Sequence, residues 1–126
     1  MFNNTQYAIF SVSRGNCKLI DKDNSAHIEY MMKQLKVPFK VVEDVYEGVS
    51  EVSYVTTNID FARTVATDFN QDCILVSDSN GQCYLESKGK SILELGTMHS
   101  VSESEAKQHD SYTTDKYNNY YVTKGA

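Results

Sequence analysis

The sequence predicts an α+β fold in which two helices cover one face of an antiparallel sheet. Two segments repeat apolar residues at the helical spacing i, i+3, i+4, i+7, and several short segments between them are rich in β-forming residues. Their order along the chain is strand, helix, strand, strand, helix, strand, strand. This order is typical of the ferredoxin-like βαββαβ fold, here with an added C-terminal hairpin strand and extension.

The first strand and the first helix are predicted from residues 7–38. The segment Tyr7–Ser13 is apolar on both faces, which indicates a central strand of the sheet. Asn24 is a favourable N-cap, and Pro38 disfavours helical backbone at the residue before it, so we expect the helix to lie between them. The apolar stripe of this helix consists of Ile28, Met31, Met32 and Leu35.

A hairpin and a second helix follow. The segments Phe39–Tyr46 and Glu51–Thr57 are predicted strands, and the Gly-containing link between them indicates a hairpin. Thr57 followed three residues later by Asp60 resembles a capping box. The helix that it would open has a stripe consisting of Ala62, Val65, Ala66 and Phe69.

The last third of the chain is less regular. Residues 73–76 and 82–86 are predicted strands joined at an Asn-Gly turn signal, and residues 91–101 are predicted to be extended. Ser102 and Glu105 form a capping box, which predicts a short helix through about His109. The tail that follows, residues 110–126, has no helical or strand period over any length.

The length of 126 residues predicts a single domain, residues 1–126. We expect its core to span about residues 7–106, followed by a Tyr-rich C-terminal extension, residues 107–126. Because the first strand is apolar on both sides, the second face of the sheet also needs cover. A partner subunit is the simplest cover in a small chain, so the sequence predicts a homo-oligomer.

Composition excludes several classes of protein. The net charge of −5 disfavours nucleic-acid binding, which requires clustered Lys and Arg. The longest apolar runs are far shorter than the roughly 20 residues of a membrane span, and the first residues do not resemble a signal peptide. The three cysteines and three histidines show no metal-ligand spacing, so we expect no zinc site. The odd cysteine count suggests reduced thiols in a cytoplasm.

Few residues suggest chemistry by pattern alone. The basic residues Arg14 and Lys18 near Cys17 could activate its thiol, but no His base can be assigned to it, so a small residue in a polar loop is the simpler interpretation. The hairpin segment Tyr46–Ser53 is more suggestive, because it places a Tyr and the carboxylate of Glu51 at a strand turn, although an ordinary polar turn would look similar.

Two later groups are weaker candidates. Gln71 follows the second helix, where the residues 70–72 could equally be a helix C-terminal stop. Glu86 and Glu94 lie on the late extended segments and look like solvated acids.

Five segments in order resemble a known family. They read YAIFSVSRGN, NSAHIEYMMKQL, VYEGVSEVSYV, ARTVATDFNQDCILV and LELGTMHSVSESEA. The series is similar to the phage S-adenosylmethionine hydrolases, better described as S-adenosylmethionine lyases, and it runs from about Tyr7 to about Ala106. The chain departs from the family pattern at Gly15 and in a shorter loop at residues 79–81, and the Tyr-rich tail lies outside the match.

The resemblance implies an enzyme that splits S-adenosylmethionine into 5′-methylthioadenosine and homoserine lactone. The substrate's own carboxylate attacks its γ-carbon, so no protein nucleophile, metal or cofactor is implied. By resemblance the essential acid is Glu51, with Tyr46 beside it. A second acid comes from a later segment, where Glu86 is preferred over Glu94, and Ser13 and Gln71 are further polar contacts.

The resemblance also implies a trimer with sites between subunits, in the cytoplasm of a bacterial host. There, removal of S-adenosylmethionine would counter restriction-modification early in phage infection. Two alternatives stay open from the sequence. One is a non-catalytic module on the same fold that binds a nucleotide or a host protein. The other is an interaction protein whose contact surface is the Tyr-rich tail.

Overall fold

The computed structural model describes residues 5–12, 18–46, 48–69, 71 and 73–125, with the side chains of residues 18–21 and 46 left out. Among the helices so described, none has the length and apolar character that crossing a membrane requires. In chain order the elements are β1 (Tyr7–Phe10), α1 (Lys18–Gln34), β2 (Lys40–Tyr46), β3 (Val49–Thr56), α2 (Ile59–Asp68), β4 (Ile74–Ser77), β5 (Gln82–Ser87), β6 (Lys90–Val101), α3 (Glu103–Ala106), β7 (Ser111–Asp115) and β8 (Tyr120–Gly125).

The strands form a closed antiparallel barrel in the order β1-β3-β2-β7-β8-β6-β5-β4, with β4 pairing back to β1. The predicted ferredoxin-like fold is therefore wrong. The first six elements do follow one another as predicted, from β1 to β4. The sheet does not end at β2 and β4, however, because β7 extends it beyond β2, β5 extends it beyond β4, and β6 and β8 close the gap.

The barrel interior is an apolar cluster formed by strands on opposite walls. Ile9, Val42 and Val55 are buried on β1, β2 and β3, and Met98 of β6 packs against their cluster. Since β6 pairs with none of these three strands, this contact crosses the interior. The second face of β1 is thus covered by the chain's own strands. The reasoning from an uncovered sheet face to a partner subunit does not hold, and the homo-oligomer stays a prediction from resemblance.

Both long helices pack outside the barrel, on the other face of β1, β3 and β4. This outer core joins buried apolar residues of the strands and helices: Ala8, Phe10, Val12, Ile28, Met32, Val37, Tyr54, Ala62, Val65 and Ile74. The Tyr54 hydroxyl donates a hydrogen bond to Glu29 Oε2 at 2.8 Å, which ties the barrel wall to α1. Of the predicted α1 stripe, Ile28 and Met32 are buried, but Leu35 is 60% exposed.

The helix starts differ from the predictions in two of three cases. Asn24 does not cap α1, which begins earlier, at Lys18; its side-chain amide instead donates to the Val12 carbonyl oxygen at 3.4 Å. The N-cap of α2 is Asn58 rather than Thr57, with Oδ1 accepting from the Phe61 amide at 3.1 Å. At α3 the predicted cap is confirmed, because Ser102 Oγ accepts from the Glu105 amide at 3.1 Å.

The Tyr-rich extension supplies two strands of the barrel. β7 and β8 are joined by a turn in which Asp115 Oδ1 accepts from the amides of Tyr117 and Asn119 at 2.9 and 3.0 Å. β7 pairs with β2 and β8 pairs with β6, so these strands connect the two halves of the sheet. The expectation of an irregular tail outside the core is overturned.

Candidate functional site

One end of the barrel contains a cavity of about 310 Å³. This volume is at the lower end of the range that small-molecule sites occupy. Its floor is apolar, formed by side chains such as Ile9, Leu75 and Met98. Its polar lining comes from several strands and the segment before β4: Ser11, Asp44, Glu51, Ser53, Gln71, Cys73, Ser111, Tyr112, Thr113, Tyr121 and Thr123.

Two carboxyl groups lie opposite each other on adjacent strands of the cavity wall. Asp44 on β2 is the direct register partner of Glu51 on β3, and both residues line the cavity. Side chains alternate between the two faces of a strand, so Asp44 points to the same side as the buried Val42, two residues earlier. Directly opposed like charges are unfavourable in a sheet. A cation or a proton between the two carboxyl groups would relieve this repulsion.

Hydroxyl groups surround Asp44. The Thr113 hydroxyl of β7 donates to Asp44 Oδ1 at 2.6 Å. Ser53 of β3 is fully buried and lines the cavity beside Asp44. Burial raises the pKa of Asp44 above its ordinary value, and the hydroxyls of Thr113 and Ser53 offset part of this rise. The neutral form of Asp44 is thus more accessible than that of a solvated aspartate.

The described lining of the cavity is acidic. Among the described residues that line it, none is Lys, Arg or His. Two tyrosines complete its polar wall, Tyr112 on β7 and Tyr121 on β8, and the Tyr121 hydroxyl donates to Asp115 Oδ2 at 3.4 Å. Aromatic faces and carboxylates together favour cationic ligands.

The opposite end of the barrel is filled rather than open. Tyr7, Ser77 and Cys83 are buried there, and burial raises the pKa of both the Tyr7 hydroxyl and the Cys83 thiol. Such a thiol is unreactive at neutral pH. Within the described part of the chain, no group of three or more His, Cys, Asp or Glu side chains could hold a metal ion.

Two of the residues predicted from sequence lie in the cavity, namely Glu51 and Gln71. Tyr46 is the last residue of β2 and the register partner of Val49, but its side chain is not among those described. Ser13 lies outside the described residues, as does Cys17.

Glu86 and Glu94 lie elsewhere. Glu86 on β5 accepts two hydrogen bonds from Arg63 of α2, from Nε to Oε2 and from Nη2 to Oε1, both at 2.8 Å. This pair lines a second cavity of about 350 Å³ between α2 and the barrel wall, and Gln71 lines both cavities. Glu94 on β6 is exposed and opposite Tyr84. Within one chain, neither acid lines the cavity of Glu51.

Asp44 was not singled out from the sequence, although a signal existed. The two-residue link between β2 and β3 pairs Tyr46 with Val49, and counting back along both strands pairs Asp44 with Glu51. An acid directly opposite a suspected functional acid would have been the clue. Thr113 and Tyr121 had no comparable signal, since their strands were not predicted.

Comparison with known proteins gives one clear match. A search of curated proteins found nothing similar. The model of the S-adenosylmethionine lyase family matches residues 8–124, which includes all eight strands except the ends of β1 and β8. This match covers nearly the whole chain and extends through the Tyr-rich tail. The chain therefore belongs to the S-adenosylmethionine lyase family, and its substrate is S-adenosylmethionine.

Proposed function

We propose that the cavity at the barrel mouth is the active site, where S-adenosylmethionine is split into 5′-methylthioadenosine and homoserine lactone. The observation that carries this proposal is the pairing of Asp44 with Glu51 in a cavity whose wall also carries Tyr112 and Tyr121. S-Adenosylmethionine carries a sulfonium and an ammonium group against one carboxylate, so it is a net cation. An acidic, aromatic-lined cavity suits it.

The proposed reaction needs no group of the protein to form a bond. The substrate carboxylate oxygen bonds to the γ-carbon, the bond from that carbon to sulfur breaks, and its electron pair stays on sulfur as a neutral thioether. The lactone keeps the ammonium group, so charge is conserved without a proton transfer. The enzyme's contribution is to hold the chain of the substrate in a ring-closing shape, which can contribute about 7–11 kcal/mol in well-oriented systems.

In this proposal Glu51 holds the α-ammonium group and leaves the substrate carboxylate free to attack. Tyr46, Ser13 and Gln71 are proposed as neighbouring contacts, and Glu86 as the later acid by family resemblance. The rings of Tyr112 and Tyr121 are available in the cavity for the sulfonium or the adenine.

The biological setting is proposed from family resemblance. We propose a phage protein that acts in the cytoplasm of the bacterial host and depletes S-adenosylmethionine, on which methyltransferases and some restriction enzymes depend. The assembly proposed on the same basis is a homotrimer with sites between subunits. Its mass in solution, measured by light scattering, tests the assembly directly.

The test of the activity is Glu51→Gln. Purified protein is incubated with S-adenosylmethionine and the products are identified by mass spectrometry. We expect the wild-type protein to release 5′-methylthioadenosine with homoserine lactone, and Glu51→Gln to release neither while its circular dichroism is unchanged. Glu43→Gln is the matched control, because Glu43 is an exposed acid of the paired strand that does not line the cavity. Full turnover by Glu51→Gln would remove Glu51 from the mechanism. Unchanged substrate with folded wild-type protein would refute the activity.

A further inference from the structure

A row of four polar side chains crosses four neighbouring strands of the cavity wall. Glu51 of β3 is the register partner of Asp44 of β2, and Asp44 is the register partner of Thr113 of β7. Thr113 is in turn opposite Tyr121 of β8, and all four residues line the cavity. Because neighbouring strands lie about 5 Å apart, the row has two adjacent acids at one end and an aromatic ring about 10 Å from Asp44 at the other.

The side chain of Asp44 has a fixed position in this row. The buried Thr113 hydroxyl donates to Asp44 Oδ1 at 2.6 Å, and the buried Ser53 of β3 places a second hydroxyl beside the same carboxyl group. A carboxylate has about four lone-pair sites, so two hydroxyl neighbours leave acceptor capacity for a ligand. Asp44 therefore offers the cavity a hydrogen-bond acceptor whose direction is set by two other strands.

The α-ammonium of S-adenosylmethionine is the group that fits this end of the row. It is a compact charge with three N–H donors, as in a lysine side chain, so it can donate to Asp44 and Glu51 at once. An interaction of Glu51 with another group of the chain leaves room for this contact, since each carboxylate accepts several hydrogen bonds.

The other groups of the substrate fit this position less well. The sulfonium has no N–H or O–H to donate, and an aromatic face such as that of Tyr121 suits it better. The ribose hydroxyls can donate to an acid, but they are uncharged and would not relieve repulsion between opposed acids. The ammonium also keeps its charge in the lactone, so acids placed there bind the ground state and the transition state alike.

We propose that Asp44 is a second binding residue for the α-ammonium of S-adenosylmethionine, acting together with Glu51 and positioned by Thr113. This inference rests on the proposed function of the cavity. It gives the site a second acid from the same chain and the same cavity as Glu51, whereas Glu86 accepts from Arg63 on the outer side of the barrel wall.

The experiment measures Kd by titration calorimetry for two unreactive probes. S-Adenosylhomocysteine carries the ammonium group but has a neutral sulfur, and 5′-methylthioadenosine lacks the amino acid part altogether. Asp44→Asn should weaken binding of S-adenosylhomocysteine by about tenfold to a hundredfold, the equivalent of one hydrogen bond to a charged group. Its affinity for 5′-methylthioadenosine should equal that of the wild-type protein. Glu43→Gln, an exposed acid on the same strand, should change neither Kd.

Thr113→Val tests the positioning role and keeps the proposal testable should Asp44→Asn not fold. It should weaken binding of S-adenosylhomocysteine and leave that of 5′-methylthioadenosine unchanged, and Thr113→Ser should restore the affinity by restoring the hydroxyl.

Three results would overturn the proposal. They are an unchanged affinity of Asp44→Asn for S-adenosylhomocysteine, an equal loss of affinity for both probes, and wild-type affinity of Thr113→Val for S-adenosylhomocysteine. The equal loss would place Asp44 at the nucleoside or in the general structure of the site. Wild-type protein that binds neither probe and releases no product from S-adenosylmethionine would instead refute the proposed function.

Discussion

Variants of the ion pair between Arg63 and Glu86 test whether the role of Glu86 is structural or catalytic. Glu86 is 8% exposed, whereas the Arg63 side chain is 43% exposed, and two hydrogen bonds of 2.8 Å join them. The informative changes are Arg63→Met, Glu86→Gln and the double variant. Arg63→Met should cost more than Glu86→Gln, because it leaves a nearly buried carboxylate without its cation, whereas glutamine can still accept from the guanidinium.

The expected coupling energy follows from this geometry. Hydrogen bonds to charged groups contribute about 1.5–3 kcal/mol, while fully exposed ion pairs contribute about 0.2–1 kcal/mol. A pair with one nearly buried and one half-exposed partner should lie between these limits, at about 2 kcal/mol. With an unfolding entropy of about 2.1 cal/mol/K per residue over 126 residues, 2 kcal/mol corresponds to a Tm change of about 8 °C.

The assay is a double-mutant cycle of urea unfolding, with turnover measured on the same samples. We expect the coupling energy above. Turnover of Glu86→Gln per folded molecule close to that of the wild-type protein would limit Glu86 to this structural role. A coupling below about 0.5 kcal/mol would show that the pair behaves like an exposed surface pair, against our reasoning from burial. Loss of turnover by Glu86→Gln with stability intact would instead place Glu86 in the active site, as family resemblance suggests.

Two further predictions concern the tail and Asp44. Deletion of Asp110–Ala126 removes β7 and β8, so the remaining chain should lose cooperative unfolding in a thermal scan; a sharp transition in the truncated protein would contradict the closed barrel. Folding raises the pKa of Asp44, so protonation of this residue stabilises the folded state. This stabilisation is fully present below the unfolded-state pKa of 3.8 and is lost as pH rises through the folded-state pKa. Asp44→Asn should therefore flatten the decline of the unfolding free energy with rising pH relative to Glu43→Gln, and parallel curves would refute this linkage.

The first half of the fold could be predicted because its periodicities are strong. The α2 stripe around Ala62 and Val65 is buried as predicted, and the hairpin of β2 and β3 has the turn that its Gly-containing link indicates. The tail could not be predicted in the same way. In β7 the inward residue Thr113 is polar, so the alternation of an apolar inner face with a polar outer face is absent.

Inward-facing polar residues also prevented part of the site from being predicted. A polar side chain on a strand is normally interpreted as facing water, and Asp44 and Ser53 both fit that interpretation. In a barrel with a cavity, polar residues also face inward, and only the pairing of strands distant in sequence reveals it. Glu51 was recognised through family resemblance and its place in the hairpin, whereas Thr113 approaches Asp44 from 69 residues away.

Barrel closure also has a consequence during protein synthesis. The outer edge of β2 pairs with β7, and the contact between Asp44 and Thr113 spans 69 residues. At about 5–20 residues per second, a ribosome needs about 3–14 s to make this stretch. Throughout that interval the backbone amides and carbonyls of β2 that point away from β3 have no strand beside them, and such an edge can pair with another nascent chain. We therefore expect the yield of folded protein to depend on how fast the last strands are translated and on how crowded the nascent chains are.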